Sequence, residues 1–416
     1  MIDLSKLTSL INLNEAVERL VKALSKTIQL EVEEAGLVNS VNRVLAVDIY
    51  AENNRPEFDI AAVDGYAVRS IDTTGATQYN PVELSIVGVV KPGQKPSETC
   101  LEPGTAVRIH TGAPIPYCAD AVVMDEDVDV SEKHVVVFKP VPHGSNIIRQ
   151  GEDFAKGELL VRRGSLIKPS MIAALAALGI SKVKVFRKIN ASVLAIGDEL
   201  VEPGEERVDG KIYNSTAYIV LSLLQQDRIF EVKYSGIIPD DAREVEEAIA
   251  REISNGADLV ITTGGTGISE SDVVSHLVKK GDSVVFRGVR MRPGRPTSSF
   301  IYRNKLVVNF SGFPVAAWAG YEVLLRRAFI KWLSIRELER RVVNAVLTRR
   351  IPNTVGYSSV IRVMIRYENG VYYADPYMLR GSGVISSLLR TNGYVIIPED
   401  IEGYEKNTLI QVYLYD

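Results

Sequence analysis

Near the N-terminus, Leu13, Val17, Leu20, Val21 and Leu24 recur at helical spacing, which predicts an amphipathic helix with one buried stripe. From Pro81 to about Pro140 the texture changes to short β-like runs, Leu84 to Val90, Ala121 to Met124 and Val135 to Phe138, punctuated by Pro and Gly. Helical character returns over Pro169 to Gly179, with proline at its start and glycine at its end. The next stretch alternates strand and helix. Val193 to Ile196 is a continuous apolar run, as expected of a parallel strand covered on both faces. A helix over Tyr213 to Gln225 and a strand within Ile229 to Ile238 follow. Ala242, Val245, Ile249 and Ile253 then mark a further helix, and Leu259 to Ile261 and Leu306 to Asn309 two more strands. The last part turns β again, with alternation in Val360 to Ile365 and Gln411 to Tyr415 between Gly370, Gly381, Gly393 and Gly403.

These shifts predict a multidomain α/β plus β chain. A helical domain in two pieces (1–50 and 141–180) flanks an inserted β domain (51–140). A doubly wound α/β domain (181–330) and a C-terminal β domain, barrel or sandwich (331–416), follow. In a doubly wound sheet the ligand site is expected at the carboxyl ends of the strands.

At 416 residues the chain is too long for one core. Its 46% hydrophobic and 24% charged residues are ordinary for a globular protein, and a net charge of −4 argues against a general nucleic-acid or membrane-surface binder. The longest apolar run, Met171 to Ile180, is too short to span a bilayer. Only Cys100 and Cys118 occur, which gives no disulfide framework and suits a reducing cytoplasm. His110, His134, His143 and His276 show no zinc-ligand spacing.

The strongest chemical signal runs from Leu259 through Thr263-Gly264-Gly265-Thr266-Gly267 to Asp272. Glycines directly after a strand let the backbone approach a ligand, and their amides can surround a phosphate. Thr266, Ser269 and Ser271 add hydroxyls, while Glu270 and Asp272 add carboxylates. No lysine occurs between Val260 and Val278, so a P-loop is excluded, and Glu270 stands where a dinucleotide loop needs its third glycine. Three acids follow strand ends: Glu199 in Gly197-Asp198-Glu199, Asp240 in Pro239-Asp240-Asp241, and Asp272. Converging on a phosphate-sized turn they would suit Mg²⁺, which takes one or two carboxylates plus substrate phosphates. The plain alternative is a tight turn with each acid capping a helix. Opposite in charge is Gly288 to Pro296, with Arg290, Arg292 and Arg295, whose guanidinium forks match tetrahedral oxyanions unless the segment is only a solvated basic turn.

Taken together, PEFDIAAVDGYAVR (from Pro56), GTAVRIHTGAPIP (from Gly104), IIRQGEDFAKGELL, AIGDEL, IIPDD, TTGGTGISESD, MRPGRPTS and GSGVISSL resemble the molybdopterin molybdenumtransferase family, the MoeA-like proteins and the gephyrin E domain. The motifs stand in family order over essentially the whole chain. The resemblance implies a homodimer with an active cleft shared between subunits. It also implies insertion of molybdate, or tungstate, into adenylylated molybdopterin with Mg²⁺ and release of AMP. By motif position it implies that Asp59 acts from the partner subunit's face, and that Glu199, Asp240 and Asp272 bind metal or take part in the cleavage. Thr111, Gly264, Gly265, Gly267, Ser269, Arg290, Arg292, Arg295, Arg362, Ser382 and Ser387 would contact the substrate. Three departures stand out. Phe313 replaces an asparagine, Tyr357 follows Gly356 where an arginine is expected, and Val63 replaces a methionine. Two other readings stay open at this stage: adenylylation of molybdopterin, and a non-catalytic pterin-binding scaffold.

Overall fold

The computed structural model describes residues 10–265, 283–377 and 381–415. Two units are distinguished: residues 1–46, 164–169 and 182–416 in one, 47–163 and 170–181 in the other.

In the first unit the apolar runs become a six-stranded sheet. Its order is Phe230–Ile238, Ile189–Ile196, Leu259–Thr263, Lys305–Phe310, Ser298–Tyr302 and Ser283–Phe286. The first four strands are parallel, and the last two pairings, made on either side of Ser298–Tyr302, are antiparallel. Alternate residues face opposite ways, so both faces must be covered. Val193, Ala195, Ile261 and Val308 pack with the helices Leu13–Thr27 and Thr216–Asp227; Leu194, Ile196, Val260 and Val307 pack with Ala242–Ser254. The N-terminal helix buries Leu13, Val17, Leu20 and Leu24 as its spacing predicts, and Asn12 caps it by accepting the Glu15 amide at 2.8 Å. From Ile189–Ile196 the chain passes to a strand on one side and then returns to Leu259–Thr263 on the other. That reversal opens a crevice at the carboxyl ends of these two strands.

A buried ionic network lies under the π-helical turn Tyr321–Leu325. Glu322 accepts from Arg326 at 3.2 Å, from Arg340 at 2.7 Å and from the Tyr394 hydroxyl at 3.1 Å. Arg326 also reaches Asp227. Burial alone would raise the Glu322 pKa, but the two arginines and the hydroxyl outweigh it and hold the carboxyl below its usual range.

The C-terminal strands close on themselves. Ser358–Glu368 pairs with Val371–Pro376 and Gly393–Ile397, and Val342–Leu347 and Leu409–Leu414 complete the ring. Of barrel and sandwich, the barrel is what forms; closure leaves no open edge in the ring. Val363, Ala374, Val395, Ile410 and Val412 fill its interior.

The second unit carries a six-stranded sheet, in the order Ala121–Met124, Gly65–Val68, Thr105–Ile109, Val82–Val90, His134–Val137 and Val128–Val130. Tyr66, Val68, Leu84, Val123, Val135 and Val137 form its core. Cys100 and Cys118, in which the sequence showed no disulfide framework, form a disulfide across 18 residues of sequence. Sequence spacing could not reveal that two loop cysteines meet, and the cysteines therefore carry no argument for a reducing compartment. Among the described residues no helix is long and apolar enough to cross a membrane.

Candidate active site

The crevice is a cleft of about 520 Å³ in the first unit, with Ile196, Gly197, Glu199, Asp240, Thr263, Gly264 and Gly265 among its lining residues. Its geometry starts from Gly264, at φ +94°, where a Cβ would overlap the Ile196 carbonyl oxygen. No other residue fits there without moving the neighbouring strand. The turn is therefore tight against the sheet, but its amides are not equally free. The Gly264 N–H donates to the Phe310 carbonyl at 3.0 Å, whereas the Gly265 amide has no such backbone partner among the described residues. Gly267, Ser269 and Asp272, with Thr266, Glu270 and Ser271, lie outside the described residues.

Glu199 and Asp240 stand exposed in this cleft. Asp240 and Asp241 divide two tasks. Asp241 caps the helix Ala242–Ser254, accepting the Arg243 and Glu244 amides at 2.9 and 3.0 Å, which leaves the Asp240 carboxylate to the cleft. The Asp240 amide donates to Asp198 at 3.2 Å, tying the two acidic loops together. No cluster of three or more metal-ligating side chains occurs among the described residues. Two carboxylates beside a phosphate-sized turn nevertheless suit Mg²⁺, which commonly takes its remaining ligands from substrate phosphates and water.

The opposite wall comes from Ser311, Gly312, Phe313 and Pro314, with Gly383 and Ile385 from the late serine segment. The Thr216 hydroxyl donates to the Gly312 carbonyl at 2.6 Å, and the Val315 amide to the Ser382 carbonyl at 3.0 Å. Ser382 thus holds the cleft edge through its backbone. Ser387 and Arg362 are buried and meet each other at 3.2 Å, a structural pairing away from solvent.

The three arginines part company. Arg290 forms a two-pronged pair with Glu399, at 3.1 Å on each side. Arg292 lies over the Tyr357 ring, 4.2 Å from its centroid, and donates to the Thr354 hydroxyl at 3.0 Å. Arg295 is exposed, with no side-chain partner among the described residues. The sequence could not show that Glu399, more than a hundred residues on, neutralises Arg290. Nor could it show that Tyr357 seats a guanidinium.

In the second unit, Asp59 accepts from the Arg149 guanidinium at 2.6 Å and the Gln150 amide at 2.8 Å. Asp64, to which the sequence assigned no role, accepts the Thr111 amide at 2.8 Å and faces His110 at 3.5 Å. The Thr111 hydrogen bond holds its carboxyl below the usual range. Asp64 therefore fixes the Thr111-Gly112 turn.

Three family descriptions match in order: the MoeA N-terminal region (domain I and II) over residues 11–179, a probable molybdopterin binding domain over 192–331, and the MoeA C-terminal region (domain IV) over 344–415. The chain is 36% identical to a putative molybdopterin biosynthesis protein of Methanocaldococcus jannaschii, over 92% of each. It is 34% identical to the molybdopterin molybdenumtransferase of Bacillus subtilis, over 92% of this chain and 90% of the relative. A crystal structure of the molybdopterin biosynthesis MoeA protein from Pyrococcus horikoshii OT3 aligns with a TM-score of 0.81 at 34% identity, covering 98% of this chain and all of that one. With its doubly wound domain, closed C-terminal barrel and strand-end cleft, the chain belongs to the MoeA family.

Proposed function

We propose that this protein is a molybdopterin molybdenumtransferase that inserts molybdate, or tungstate, into adenylylated molybdopterin and releases AMP. The observation that carries the reading is the pairing of Glu199 and Asp240 with the Gly264-Gly265 turn in one cleft at the switch point of the sheet. Glu199 and Asp240 are the residues that would hold Mg²⁺, which when bound supplies positive charge against the pyrophosphate. The Gly265 amide can donate to a phosphate oxygen, and the fixed Gly264 turn keeps that donor in place. Arg295 and the Tyr357-seated Arg292 offer guanidinium groups for the incoming oxyanion. Asp272, Gly267 and Ser269 belong to the same proposal on their motif positions alone. So does a homodimer in which Asp59 acts across the subunit boundary.

The test is direct. Purified protein, adenylylated molybdopterin, molybdate and Mg²⁺ should yield AMP, and chelation of the metal should stop it. Glu199→Gln and Asp240→Asn should each lower the rate at least roughly 10-fold at limiting Mg²⁺. Absence of AMP, with pyrophosphate formed instead from molybdopterin and ATP, would establish the adenylylating reaction in its place.

A further inference from the structure

Phe313 breaks a local rule. It is the N-cap of the helix Pro314–Gly320, where its side chain caps nothing, whereas a side-chain acceptor there would stabilise the helix. It is also 58% exposed, although it is a large aromatic residue. Both costs fall at the wall of the cleft, which Phe313 lines together with Ile385, Ile212 and Tyr213, all of them exposed. Such a set of uncovered apolar groups in one concavity marks a ligand surface more than a surface accident. The ring is held in position. Pro314 restricts the backbone before it, and Gly383 lies so close that a Cβ there would stand 3.3 Å from the ring. The cleft is thus two-ended. Carboxylates stand at the acidic loops beside the Gly264 turn, and an exposed aromatic side chain stands on the other wall.

We infer that Phe313 is the stacking platform for the flat heteroaromatic ring of the ligand, and so a specificity-determining residue of this cleft. The inference rests on the proposed molybdopterin reading and adds what the ring end of that ligand touches. The departure from asparagine is on this view a substitution of one kind of contact by another, ring stacking for hydrogen bonding. A nucleobase-sized ring on an aromatic side chain typically loses roughly 10-fold in affinity when the aromatic is removed.

The experiment measures molybdopterin binding to the whole protein by titration, together with KM and kcat for AMP release, in wild type, Phe313→Leu and Phe313→Tyr. Phe313→Leu should weaken binding and raise KM roughly 10-fold with kcat within about twofold, while Phe313→Tyr stays near wild type. The melting temperature should be unchanged in both, because the side chain is exposed. A Phe313→Leu protein that binds as wild type does would overturn the inference and leave the proposed function standing. A wild-type protein that binds no molybdopterin would overturn the proposed function itself.

Discussion

Reduction of the Cys100–Cys118 bond opens a loop of 18 residues in the second unit. Treated as loop closure in the unfolded chain, this bond removes about 11 cal/mol/K of entropy, which is ~3 kcal/mol at 25 °C. The loop it closes carries the strand Thr105–Ile109, paired on both sides in the sheet, and the Leu101 amide donates to the Tyr117 carbonyl at 2.9 Å beside the bond, so the native loop stays held and the loss falls on the unfolded chain. For a unit of this size each kcal/mol moves the melting midpoint by about 4 °C, so dithiothreitol should lower that midpoint by roughly 12 °C. Scanning calorimetry with and without reductant reads the shift, and a Cys100→Ser/Cys118→Ser protein should melt at the lower temperature and ignore the reductant. Trp318 and Trp332 both lie in the first unit, so tryptophan fluorescence gives a control trace that reductant leaves in place. Two titratable thiols in denatured, unreduced protein would refute the reasoning at its root. A reductant shift below about 3 °C would refute the magnitude.

Other outcomes follow from the same geometry. Gly264→Ala must push its new methyl group off the Ile196 carbonyl oxygen at positive φ, and should cost about 1–3 kcal/mol of stability by chemical denaturation; AMP release should fall roughly 100-fold if the turn shifts by about an ångström. Glu322→Ala leaves Arg340 without its carboxylate partner in the interior, while Arg326 keeps Asp227, and should cost about 3–5 kcal/mol, read from urea midpoints. Because the folded Glu322 carboxyl sits below its unfolded value of 4.5, its contribution is present above that pH and lost as pH falls through the folded value; in Glu322→Gln the acid limb of the stability curve should flatten. If Asp59 and Asp240 act from opposite subunits, mixing inactive Asp59→Asn and Asp240→Asn proteins should restore about a quarter of the wild-type rate in a random dimer population. No recovery after confirmed subunit exchange would exclude the shared cleft.

The α/β domain was legible because its information is local. Continuous apolar runs such as Val193 to Ile196 are forced by a sheet covered on both faces, and the stripe of Leu13 to Leu24 admits one burial only. The glycine turn was legible for the same reason, a strand running into residues that tolerate positive φ. What escaped was every feature set by a distant partner. Arg290 and Glu399 are separated by 109 residues, Arg326 and Asp227 by 99, and Asp64 finds the Thr111 amide 47 residues on. The amide of Gly264 shows the limit within a motif: spacing marks a phosphate loop, but only the neighbouring strand reveals that Phe310 has already taken the donor. Phe313 shows the converse, since a mismatch to a family pattern reads as loss until the exposed ring and its glycine neighbour are seen together.

The short strand Met291–Arg292 pairs in parallel with Ser358–Ser359, and the Ser358 amide donates to the Arg290 carbonyl at 2.9 Å. The arginine loop is therefore an added stave of the C-terminal barrel, although it belongs by sequence to the preceding domain. The two domains cannot be treated as interchangeable cassettes. A fragment ending near residue 331 would keep the carboxylates, the glycine turn and the Ile11–Val289 bridge but release the guanidinium groups from the barrel strand and from the Tyr357 ring. Grafting, truncation or recombination in this chain should cut before Arg287 or spare the barrel whole.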